Sequence, residues 1–99
     1  MKALFIPLKT EFFNDFESGA KDTEYRRYGK RWNEYTCVVG RKVVLSHGYG
    51  KKRRLYGVVV AFERSSLPTQ TEAWKQCYGN QDGDAACIRV ALIENQPCR

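Results

Sequence analysis

Histidine and methionine each occur once in the chain, proline three times, and the four cysteines at 37, 77, 87 and 98 form no C-x-x-C pair. With His47 as the single histidine, no zinc finger or zinc ribbon is encoded, and no metal or other cofactor is expected. No segment approaches the roughly 20 apolar residues needed to span a bilayer. The apolar part of "MKALFIPL" is too short for a secretory signal before Lys9 and Glu11. These absences predict a cytoplasmic protein with no membrane partner and reduced thiols. Cys77 and Cys87 flank "YGNQDGDAA" and could meet if that loop folds back, whereas Cys37 and Cys87 are expected to pack on apolar strands. Internal repeats, low-complexity stretches and linkers are also missing.

What is present suits one domain. The 99 residues allow a single core, and 42% hydrophobic with 13% aromatic content argues against intrinsic disorder. Residues 1–94 are read as the domain and 95–99 as a tail. Ala3 to Leu8 is apolar at nearly every position, as in a strand covered on both faces. Thr10 is placed to cap a helix carrying Phe12, Phe13 and Phe16, which Gly19 stops. An extended segment follows from Thr23 to Tyr28, then the polar connection "YGKRWNEY". Beyond a turn at Gly40, "RKVVLSH" and "RRLYGVVVAFE" form two strands of a hairpin around "GYGKK". Thr69 and Glu72 match a capping box for a helix from about Gln70 to Tyr78, with Gly79 as its stop. "NQDGDAA" reads as a loop and "CIRVALIE" as the last strand; "DGD" lacks the calcium-loop ladder and is a turn. The fold class is α+β, a small, twisted, mixed β-barrel with two short helices.

Charge is unevenly placed. Between Lys21 and Arg54 there are 11 basic and 3 acidic residues, while the whole chain has 17 and 11. The positive field thus belongs to one region, which favours an anionic partner, with simple solubility as the alternative. At the hairpin tip, Lys51, Lys52, Arg53 and Arg54 lie between Tyr49 and Tyr56. With Arg27, Lys30, Arg31, Trp32, Arg41 and Lys42 they could follow a phosphate backbone while aromatic rings stack on bases, which suits RNA or single strands. Cations at a hairpin tip also deter edge pairing, so that cluster has a purely protective reading too.

The densest cluster is "SGAKDTEYRR". In a strand, side chains alternate, so Glu24 and Arg26 share a face, and Lys21 in the preceding turn can lean over it. A carboxylate between two cations orients both and leaves spare donors for an anionic or carbonyl-rich ligand. An ion-pair network tying turn to strand is the alternative. "GAKDTEYR" resembles the G-x-K-x-x-E-x-R signature of the ASCH domain, a PUA-like β-barrel family linked to RNA and nucleotide transactions. The order of elements around it is similar along most of the chain. The resemblance implies that Lys21, Glu24 and Arg26 line a cleft beside the barrel, with Gly19 as the turn that lets them converge.

Tyr25 and Ser46 are further candidates for that cleft, and Lys21 and Glu24 for any catalysis. Family members divide between RNA binding, ribonuclease activity and hydrolysis of an acetylated cytidine. In the last branch a lysine works with a threonine three residues later, where this chain has Glu24; Thr23 would face the other way. Ribonuclease chemistry would draw on Lys21, Tyr25, Arg26, Ser46 and His47. Glu63 and Glu72 are possible further carboxylates. The expected function is binding of RNA, single-stranded nucleic acid or a nucleotide-like small molecule. The alternatives are an enzyme centred on Lys21 and a module whose basic face docks an acidic protein.

Overall fold

Alternating side chains give the sheet its two faces, and the tight turns fall where glycine relieves the backbone. The computed structural model describes residues 1–79 and 83–93. The elements are β1 (Leu4–Leu8), α1 (Thr10–Ser18), β2 (Thr23–Arg27), β3 (Lys42–His47), β4 (Arg54–Ser65), α2 (Glu72–Tyr78) and β5 (Ala85–Ile93). A 3-10 turn, Leu67–Gln70, precedes α2. The first three residues, 80–82, of the segment read as a loop, the end of the last strand at Glu94 and the tail with Cys98 lie outside the described residues.

The five strands form one mixed sheet in the order β1-β3-β4-β5-β2, curled into a half-barrel with two short helices. β1 runs parallel to β3, and the remaining pairs are antiparallel. The long β4 carries a register shift between Val59 and Ala61, an irregularity that sharpens local bend and twist. The main core takes Ile6, Leu45, Val59, Ile88 and Val90 from the sheet and Phe13 and Phe16 from α1. Within the described residues no helix is long and apolar enough to cross a membrane.

Several sequence expectations need correction. β1 is an edge strand in the sheet order, and its two faces are unequally covered; Leu4, Ile6 and Leu8 are buried while Phe5 and Pro7 are half-buried. Its outer positions are apolar because Phe5 packs under the Arg54 guanidinium and beside Tyr49, while Pro7 lines a cavity. Thr10 does not cap α1: Lys9 holds that position without a side-chain bond, and Thr10 shares a 2.7 Å hydrogen bond with His47 Nε2. The cap of α2 is Thr71, not Thr69, because Pro68 starts a 3-10 turn that buries Thr69. β5 begins at Ala85 and so takes in the last two residues of the segment read as loop, and Cys37 is buried in the β2–β3 connection rather than on a strand. Cys37, Cys77 and Cys87 are free thiols.

The Thr71 hydroxyl accepts from the Trp74 backbone N–H at 3.2 Å. Thr71→Ala is expected to lower stability by about 1 kcal/mol. Thr71→Ser should retain most of it, a difference measurable by urea denaturation.

Candidate functional site

Gly19 ends α1 in the left-handed region at φ 87°, turning the chain so that Lys21 stands beside the face of β2. Ladder pairing to β5 fixes β2, with Glu24 opposite Ile88 and Arg26 opposite Ala86. Glu24 therefore points inward and is only 6% exposed. Its carboxylate accepts from Arg26 Nε at 2.7 Å and pairs with Lys21 Nζ at 3.6 Å. Burying a carboxylate that far is costly unless such partners are in place.

Arg26 does a second job. Its Nη2 donates to the backbone carbonyl of Pro7. Pro7 lies on β1 and Arg26 on β2, the two outermost strands of the sheet. One side chain thus ties the open edges of the half-barrel together, and its guanidinium also lies 5.0 Å from the centre of the Trp32 ring. Lys21 is held differently. Its ammonium lies 5.2, 5.6 and 5.0 Å from the ring centres of Phe12, Phe16 and Tyr25. One contact goes to Glu24 and further N–H donors remain to it.

Lys21, Glu24, Tyr25 and Arg26 line a cavity of about 650 Å³ between the sheet and α2. Pro7, Leu8, Lys9 and Phe12 form one part of its wall, and Leu67, Pro68, Thr71 and Ala73 another. Trp74, Cys77 and Tyr78 complete it from α2, with the Trp74 and Tyr78 rings 4.3 Å apart. Across the cavity Lys9 Nζ approaches Cys77 Sγ at 3.6 Å. Burial, with smaller pushes from Cys87, Asp22 and Glu24, holds the Tyr25 phenol above its ordinary pKa. Burial raises Tyr78 as well, outweighing the opposing pull of Arg26. Both phenols are neutral near pH 7 and present hydrogen-bonding groups rather than charge.

Ser46 is not brought to this cavity. It is buried on β3 and donates to the Gly50 carbonyl at 3.0 Å, closing the hairpin. His47 lines a separate, shallower hollow with Thr10 and Gly48, which shares only Pro7, Leu8 and Lys9 with the first. Thr23 is half-buried, and its hydroxyl donates to Asp22 at 2.8 Å. Glu63 is exposed on β4 opposite Cys87, and Glu72 begins α2; neither lines the cavity.

The cations of the charge-rich region divide by task. Arg41 donates to the carbonyls of Lys2 and Thr36 at 2.9 and 2.6 Å. Arg53 pairs with Glu17 at 2.7 Å and covers the Phe13 ring, Arg54 covers Phe5, and Arg27 covers Tyr78. These four arginines brace the fold. Lys30, Arg31, Lys42, Lys51 and Lys52 are exposed. Lys42 begins β3, whereas Lys51 and Lys52 lie beyond its far end, a separation of about 17 Å or more at strand rise. The expected continuous basic track is thus divided. Arg31 is nearer the cavity, since its guanidinium and that of Arg26 each lie 5.0 Å from the Trp32 ring centre.

Lys9, Phe12 and the α2 residues Trp74, Cys77 and Tyr78 were not singled out as cavity residues from sequence. The available signal was the apolar face of a helix too short to build a core of its own. The half-barrel with two helices is compatible with PUA-like folds. In comparisons with known proteins, no family model and no curated protein matches the chain.

Proposed function

We propose that the chain is an ASCH-type domain that binds single-stranded nucleic acid, RNA foremost, by seating one nucleotide in the cavity beside β2. The observation that carries this reading is the cavity itself. It places the Lys21, Glu24 and Arg26 group against the aromatic side chains of Phe12, Tyr25, Trp74 and Tyr78. A planar base gains from aromatic walls, and a phosphate or carbonyl gains from oriented cations. Arg31 supplies exposed positive charge over the Trp32 ring that Arg26 also covers, and the preceding Lys30 is exposed too. The catalytic alternative has less support: Ser46 and His47 stand outside the cavity, and the Thr23 hydroxyl is turned to Asp22.

Anisotropy titrations with labelled single-stranded RNA, duplex RNA and DNA at two salt concentrations test the reading. Single-stranded RNA is expected to bind tightest and to weaken with salt. Lys21→Met, which retains the stem against the rings, should weaken binding about 10- to 100-fold by removing a charged donor. Lys42→Ala should change it about twofold at most, as expected for one peripheral charge. Equal affinity of wild type and Lys21→Met, or no binding below high micromolar at low salt, would sink the proposal.

A further inference from the structure

Apart from the Tyr25 and Tyr78 hydroxyls, which can donate or accept, the spare side-chain hydrogen-bonding capacity along the cavity wall lies with donors. Both Glu24 oxygens are engaged, one by Arg26 and one by Lys21. The Thr71 hydroxyl accepts from the Trp74 backbone N–H and donates to the Pro68 carbonyl. On the donor side, Lys9 and Lys21 each hold N–H groups beyond their single side-chain contacts to Cys77 and Glu24.

Trp74 adds an independent sign. It lines the cavity, is only 4% exposed, and its buried indole N–H has no acceptor among the described residues. A buried N–H without an acceptor is unfavourable, and a ligand oxygen would recover that cost. Trp74 also stands outside the main core cluster. Its indole N–H is closed to solvent, so meeting a ligand acceptor requires the side chain or α2 to move.

A donor-rich wall selects an acceptor-rich ligand. Among the bases, uracil offers two ring carbonyls and no exocyclic amine, whereas adenine presents an amine donor and no carbonyl. We propose that the cavity is selective for a uracil-type nucleotide, with Trp74 Nε1–H donating to a ring carbonyl and the lysines facing its anionic group. This rests on the nucleotide reading above and adds the base class and the residue that distinguishes it. The binding is reversible and involves no covalent step.

The test is a two-dimensional proton–nitrogen spectrum of the indole N–H groups, since the chain has only two tryptophans, Trp32 and Trp74. Trp74→Phe assigns the signals by removing one. Uridine monophosphate should move the Trp74 indole proton downfield, while adenosine monophosphate and inorganic phosphate should leave it in place. Calorimetry should give uridine monophosphate about a tenfold advantage over adenosine monophosphate. Trp74→Phe should erase that advantage, the effect of one hydrogen bond.

Saturating uridine monophosphate without movement of the Trp74 signal overturns the proposal, as does equal or tighter binding of adenosine monophosphate. Failure of uridine monophosphate to bind at millimolar concentration does so too. If Lys21-dependent RNA binding persists in any of these cases, only the base selectivity and the Trp74 role fall. If RNA binding is also lacking, the nucleotide reading falls with them. If Trp74→Phe folds poorly, Trp32→Phe assigns the two signals instead, and the wild-type spectrum still decides the point.

Discussion

Arg26→Ala is expected to lower the unfolding free energy by about 3–5 kcal/mol, whereas Arg64→Ala should cost far less. Both arginines make a 2.7 Å ion pair, but their surroundings differ. The Arg64 side chain is 56% exposed, so water replaces much of what the Asp84 carboxylate supplies. Removing Arg26 leaves Glu24, which is almost fully buried, without its nearest counter-charge and takes a donor from the Pro7 carbonyl. Lys21, at 3.6 Å from the other carboxylate oxygen, offsets only part of the loss. Arg26→Lys should fall between, because an ammonium retains the charge but not the planar fork that reaches Glu24 and Pro7 together. Denaturant unfolding gives the energies. Amide exchange should show β1 and β2 losing more protection than β3 and β4. Equal costs for Arg26→Ala and Arg64→Ala would refute the edge-tying role.

Gly57→Ala is the second large effect, with an expected cost of about 2–3 kcal/mol. A Cβ at position 57 would lie 2.7 Å from the Ala91 carbonyl oxygen and 2.7 Å from Val90 Cγ1. The Val90 methyl could rotate away, but the Ala91 oxygen belongs to the backbone of the neighbouring strand. Relief must therefore come from parting β4 and β5 where Gly57 opposes Leu92. Gly50→Ala is the control: open space surrounds that position, and its φ is not positive. It should stay within about 0.5 kcal/mol of wild type in the same urea titration. A comparable loss at both positions would mean that glycine flexibility, not the close approach of the strands, sets the cost.

These predictions differ in how much of them the sequence contained. The turn at Gly19 and the shared face of Glu24 and Arg26 were legible because each depends on local geometry. The bond from Arg26 to Pro7 was not, since it joins strands whose adjacency exists only once the sheet has curled. Thr69 and Thr71 show a local ambiguity: Thr69 has the capping-box spacing to Glu72, but Pro68 draws it into a 3-10 turn and passes the cap to Thr71. The basic region shows another limit. Charge can be counted from the residues, but whether Arg41, Arg53 and Arg54 face solvent or brace neighbouring groups depends on the folded surface. Trp74 gave a helical period and nothing about its orphaned indole donor.

The parallel pairing of β1 with β3 has a kinetic consequence. β3, β4 and β5 join as successive antiparallel neighbours, and the β3–β4 hairpin closes only a short loop. β1 precedes all of them, yet its ladder partner is β3, with α1, β2 and the long connection in between. Closing that larger loop costs more chain entropy before any contact repays it. The first of the five strands to be synthesised is thus expected to be among the last to find its place, and its pairing completes the wall on which Pro7 meets Arg26.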